Sequence, residues 1–324
     1  MIPRYEDSFW ALADLYAAKK NNGIVLQALG GALMAVASSD REELVTRTLD
    51  RLLRRVPFAE LGRSLPNEGR VSALIVGLAI ARKNKWAKER IDEALYGAPP
   101  RYLSTLVLHL LHYVNYSRIA DPSGRVAAEA ALRWLAVIIE RVHRTLRDQA
   151  ERGQDGGSGR EETICELLNV LDHIISRFYF QSGIYKGQGE QRAAQGEICS
   201  FFALIRPHLR QLGEVAGGEN GFGLPARTAH HFVELLRGSV GCDPAEVLHL
   251  MRLAVDGARG YGYAFDGMAA REVTAIVETV LADHRESAAS GQSLDDLVHV
   301  LKAFVQAGWP EAQRLVWRLE ELFR

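Results

Sequence analysis

Cysteine is scarce in this 324-residue chain: Cys165, Cys199 and Cys242 are few, odd in number and far apart. That excludes a small disulfide-framework module and any paired-cysteine metal site. Each sits in or beside an apolar helical run, so three buried, reduced thiols are expected. Net charge is almost lacking as well, at a formal -1 with 24% charged residues, which removes any global pull toward nucleic acid or anionic membrane. No apolar run reaches the roughly 18 residues of a membrane span. The start, MIPRYEDSFW, has no basic-then-apolar leader pattern. A cytoplasmic location is therefore expected.

Motifs that specify a reaction are missing too. There is no GxxxxGK[ST] loop to wrap phosphate, no HExxH and no GxSxG. Gly187-Gln188-Gly189 and the run from Gly217 to Gly223 do not follow a strand, so they read as loops and not as dinucleotide sites. His109 with His112, and His230 with His231, have no third ligand nearby in sequence, whereas zinc takes at least three from the protein. Asp172 and His173 project about 100° apart on a helix and cannot easily pair as a dyad. Acidic doublets such as Asp295-Asp296 and Glu320-Glu321 read as solvated or dipole-pairing charges. No catalytic residue, cofactor or metal is assigned, and a non-enzymatic protein is expected.

What the chain does have is apolar residues at helical spacing, within a hydrophobic content of 48%. In the last stretch, Leu294, Leu297, Val298, Leu301, Phe304 and Val305 fall on one side of a helix capped by Ser293. Gly308 suits the left-handed residue that closes it, and Pro310 suits the first position of the next helix. Leu315, Val316, Leu319, Leu322 and Phe323 form the stripe of that second helix, and the short joint makes the two an αα-hairpin. The same grammar recurs upstream. Asp121-Pro122 and Asp243-Pro244 each read as a cap followed by a first-turn proline. Pro207 predicts a kink or an early helix end, and 213–224 reads as a glycine-rich loop.

Roughly fourteen helices and no strand follow from this periodicity, paired at spacings on the order of 35 to 50 residues. The fold class is all-α: an irregular HEAT- or armadillo-like α-solenoid of paired antiparallel helices, with a two-lobed helical bundle as the alternative. The Gly-rich, polar run at 151–160 reads as a linker between N-terminal repeats, 1–150, and C-terminal repeats, 161–324.

Three stretches stand out as binding candidates. Trp317 lies opposite the apolar stripe of its helix, near Arg314, and is either a partly exposed surface residue or a partner anchor. With no following repeat expected to cover that face, the anchor reading gains weight. Tyr261, Tyr263 and Phe265 alternate with small residues between two helices, in a packing loop or a recognition loop. In the N-terminal part, Arg47, Arg51, Arg54 and Arg55 share a helical stripe, and Lys85 and Lys88 flank Trp86. These residues define the alternative function, binding of a nucleic-acid backbone.

The segments GYGYAFDG and FVQAGWPEAQRLVWRLEELFR resemble the C-terminal helical-repeat region of large bacterial ATP-binding proteins, several of which act in anti-phage defence. The likeness covers the last quarter of the chain and is structural. It implies a helical sensor or interaction region. This chain has no nucleotide-binding module, which leaves it either a fragment of such a protein or a partner of a separately encoded enzyme. The expected function is a helical-repeat scaffold or sensor that binds a protein.

Overall fold

The computed structural model describes residues 7, 8, 11, 100–151, 158–185, 194–218, 221–259, 267–289 and 291–322. The chain divides into two compact units, Met1–Leu110 and Leu111–Arg324. Of the first unit, the main described element is the start of α1 (Pro100–Leu111), where Leu103, Leu106, Val107 and Leu110 are buried at the spacing expected of one helix face.

The second unit is all-α among the described residues. It contains α2 (Pro122–Glu151), α3 (Ser158–Gln181), α4 (Gln195–Gly217), α5 (Ala226–Ser239) and α6 (Pro244–Arg259). After these come α7 (Gly267–Asp283), the one-turn α8 (Arg285–Ala288), α9 (Gly291–Gln306) and α10 (Pro310–Leu322). The helix starts follow from the sequence grammar. Asp121 accepts from the Gly124 amide at 2.9 Å and from the Ser123 hydroxyl, and Pro122 fills the first turn. The Ser123 bond and then the Gly124 amide hold the Asp121 carboxyl below its usual range. Asp243 does the same for α6, accepting from the Glu246 amide at 3.2 Å. Gly308 sits at φ 78°, and the Trp309 amide reaches back to the Phe304 carbonyl at 3.0 Å, which closes α9 as predicted.

Packing sorts the helices into two layers. In one, α2 packs on α4, α4 on α6 and α6 on α9; in the other, α3 packs on α5, α5 on α7 and α7 on α10. Cross-helix contacts fix the direction of neighbours within a layer. Arg206 pairs with Asp243 and Arg210 with Glu246, while Gly213 and Gly217 meet Leu253 and Gly257. Residue number rises together on both helices, so α4 and α6 are parallel. The same holds for α6 and α9 (His249 and Arg252 with Asp296, Asp256 with His299) and for α3 and α5 (Asp172 with Thr228, Ser176 with His231). Parallel alternate helices joined by intervening ones require those to run back, which is the stacking of an α-solenoid of antiparallel pairs. Between the layers lie residues such as Leu135, Ile138, Phe178, Phe201, Phe232 and Phe304, all essentially inaccessible. Each such side chain contributes roughly 1.5–3 kcal/mol by leaving water, and Phe178 meets Phe201 edge-on with centroids 6.4 Å apart.

Several local expectations change. Helix α4 runs through Pro207, because that face is exposed and the carbonyl left without an amide partner can meet water. It also continues to Gly217, so 213–217 is helical and not loop. Glycine is needed there for the close approach of α6. Helix α9 starts at Gly291, two residues before Ser293, and its buried face is rotated from the predicted stripe: Asp296 is 1% exposed and Val298 is 48% exposed. Bonds from Gln292, His249 and Arg252 hold Asp296 inside. The cysteines depart furthest. Cys199 and Cys242 form a disulfide with Cα atoms 5.1 Å apart, and Cys165 is a free, exposed thiol. Parallel stacking of α4 on α6 brings together two residues whose sequence spacing gives no sign of it.

The expected linker lies at 151–160, of which 152–157 fall outside the described residues; the helices on either side, α2 and α3, pack on each other within the second unit. No described helix is long and apolar enough to cross a membrane.

Candidate functional site

Helix α10 turns one side into the core through Ala312 and Leu315. At about 100° per residue, Trp317 points away from that side. It is 73% exposed, Val316 beside it is 39% exposed, and Arg314, one turn back, is also exposed. The buried side anchors the helix on α9 and α7, so the indole stands on a fixed support. Val316, assigned to the core stripe in the sequence, belongs instead to this outer surface, next to the indole. The other predicted protein-contact residues, Tyr261, Tyr263 and Phe265, lie outside the described residues, as do Arg47, Arg51, Arg54, Arg55, Lys85, Trp86 and Lys88.

A second surface was not anticipated. At the end of α3, Phe180 is 48% exposed and Tyr185, just beyond the helix, is 52% exposed, with ring centroids 6.1 Å apart. Phe180 also meets His231 of α5 edge-on at 5.4 Å, and the Tyr179 ring stacks on His231 at 5.1 Å and 13°. A polar chain fixes these rings from behind. Thr228 donates to Asp172 at 2.7 Å, the Ser176 hydroxyl lies 2.8 Å from His231 Nδ1, and the Tyr179 hydroxyl donates to Glu234. Burial, then the charges of Glu234 and Glu272, pushes Tyr179 up to about 12, so it stays a neutral donor. Burial, then the nearby Arg227 charge, lowers His231 from its ordinary value and favours the neutral ring. The sequence signal was the adjacent triplet Phe178-Tyr179-Phe180. At 100° spacing one helix cannot bury three successive rings on a single face.

Ser176, His231 and Asp172 superficially suggest a hydrolytic triad. The order of contacts is wrong for one. Asp172 bonds to Thr228 and lies 3.4 Å from Ser176, not behind the imidazole, and Ser176 is only 7% exposed. The cluster orients rings and joins α3 to α5. His173 Nδ1 is buried without a hydrogen-bond partner. Among the described residues no group of three or more His, Cys, Asp or Glu is placed to hold a metal ion.

No protein-family model matches the chain, and no curated protein matches it. Among solved structures, a "circular tandem repeat protein with novel repeat topology and enhanced subunit contact surfaces" aligns over 96% of this chain and 75% of its own at 17% identity, with a TM-score of 0.38. A likeness that loose carries no argument about a site.

Proposed function

We propose that the chain is a non-catalytic helical-repeat scaffold that binds a protein partner, with Trp317 as an anchor of the contact. One observation carries this reading: a Trp that is 73% exposed, set next to an exposed Val and one turn from an exposed Arg on a helix whose other side is locked into the core. Trp and Arg are enriched at the centres of protein interfaces, where a rigid ring buries much area at little entropic cost. In keeping with the resemblance of its last quarter, the scaffold acts in the bacterial cytoplasm, in a defence system, as a sensor or interaction arm.

Trp317→Ala tests the anchor. Partner capture by the full chain from its native host, quantified by mass spectrometry, is expected to lose its specific partner with Trp317→Ala, while thermal unfolding shifts by less than about 0.5 kcal/mol because the ring is on the surface. A large loss of stability, or unchanged capture, overturns the assignment. Titrating the same protein with single-stranded and duplex DNA at low salt separates the alternative: tight binding with a steep salt slope would favour the nucleic-acid reading.

A further inference from the structure

The Cys199–Cys242 bond lies at the open end of the α4/α6 seam. Cys199 is in the second turn of α4 and Cys242 sits in the turn between α5 and α6, 43 residues away. Both are half-buried, Gly241 beside them is exposed, and among the described residues the polar group that meets the sulfurs is the exposed Gln195 amide, at 3.5 and 3.6 Å. A thiolate from solution therefore has a route to the bond.

The rest of the seam does not depend on it. Further along, Arg206 pairs with Asp243 at 2.8 Å and Arg210 with the largely buried Glu246 at 2.5 Å. At the far end Gly213 and Gly217 close against Leu253 and Gly257. Loss of the disulfide would free the first turns of α4 and the 239–242 turn while the remaining contacts, Arg206–Asp243 first among them, keep α4 and α6 together. That turn adjoins Gly238, against which Ile184 is seated so closely that an added Cβ would lie 2.4 Å from its side chain. Ile184 in turn precedes the exposed Tyr185.

We propose that Cys199–Cys242 is a reversible redox staple, opened by a dithiol reductant, that sets how firmly this edge of the repeat array, including the Ile184–Tyr185 segment, is held. In the opening reaction one thiolate of the reductant attacks a sulfur of the bond and expels the other cysteine as a thiolate. The reductant's second thiolate then attacks the reductant's own sulfur in the mixed disulfide and expels the remaining protein cysteine as a thiolate. Two electrons and two protons pass to the protein, which gains two thiols, and the reductant leaves as its own disulfide. The exposed Cys165 thiol takes no part.

The test uses the full chain purified without reductant, then treated with dithiothreitol, without denaturant. Alkylation followed by intact mass is expected to label one cysteine before reduction and three after it, with the helical signal retained. Hydrogen exchange is expected to rise several-fold in 195–200, 239–242 and 182–185 and to stay unchanged in α9. The melting temperature should fall by roughly 5–15 °C, as for opening a loop of this length in a unit of this size. Cys242→Ser should reproduce the reduced behaviour without reductant, and Cys165→Ser should reproduce the wild type. Three labelled cysteines in the oxidised protein, a bond reducible only in denaturant, or exchange that does not change on reduction would each overturn the proposal.

Discussion

Gly217 is a position where one added methyl group should be costly. A Cβ there would lie 2.0 Å from the Leu253 carbonyl oxygen and 2.7 Å from the Gly257 amide nitrogen, both backbone atoms of α6. Neither can turn aside as a side chain could, so α4 and α6 must separate locally by more than an ångström to restore ordinary contact. Overpacking of this kind costs about 1–3 kcal/mol, and it opens a seam that includes Ala216 and Leu253. Alanine recovers part of that through helix propensity, at most about 1 kcal/mol and less at the last residue of a helix. A net loss of about 2 kcal/mol is expected for Gly217→Ala, or roughly 4–8 °C in melting temperature for a unit of this size.

The same helix supplies the control. Gly196, at the other end of α4, is exposed and has nothing within 4 Å of an added Cβ. Gly196→Ala should therefore be neutral or stabilise by a few tenths of a kcal/mol, as propensity alone dictates. Thermal and urea unfolding followed by circular dichroism read both variants, with the disulfide kept oxidised. If Gly217→Ala were as benign as Gly196→Ala, the close approach of α4 to α6 would be refuted, and with it the parallel stacking built on that seam.

Asp296→Ala should cost about 2–3 kcal/mol, below the value for a fully buried pair because Arg252 and His249 keep some solvent contact; urea midpoints measure it, and a loss under about 0.5 kcal/mol would count against a buried anchor. His208 donates from Nε2 to the Leu132 carbonyl at 2.8 Å, its Nδ1 is buried without a partner, and burial lowers its pKa despite that bond. The unfolded chain therefore takes up the proton first. The neutral ring's contribution is complete above about pH 6.5 and is lost as pH falls through the depressed native value. His208→Gln, which keeps a donor for Leu132, should flatten part of the decline in urea stability between about pH 7.5 and 5, and an unchanged slope would refute the role.

Much of the helical plan was legible because it is written locally. Asp121-Pro122, Asp243-Pro244 and Gly308-Trp309-Pro310 announce helix ends through backbone chemistry within four residues, and the structure places ends at all three. The apolar stripes gave the all-α class and the pairing. Where the reading failed, a partner distant in sequence had overridden the local signal. Asp296 looked solvated because Asp is polar and near a helix start; it is buried because Arg252 and His249 meet it from α6. Gly213 and Gly217 looked like loop because glycine disfavours helix; they are helical because another backbone needs the space.

The same asymmetry governs the surfaces. Exposure of Trp317 could be read from a single helix, since a ring opposite an apolar stripe has few ways to be buried. The Phe180 and Tyr185 surface could not, because it forms only when α5 lies parallel to α3 and brings His231 against Tyr179. Cys199 and Cys242 obey the same rule at a separation of 43 residues. A solenoid repeats short local rules but acts through contacts between alternate helices, which are always a repeat apart in sequence. The Phe180–Tyr185 surface and the Cys199–Cys242 bond are therefore properties of the stacking. A variant such as Gly217→Ala, which disturbs the stacking without touching Tyr185 or either cysteine, should alter exchange at 182–185 and 195–200 as well as in the seam. Protection unchanged at both segments would mean that they are held by their own short-range contacts and that the layers do not couple them.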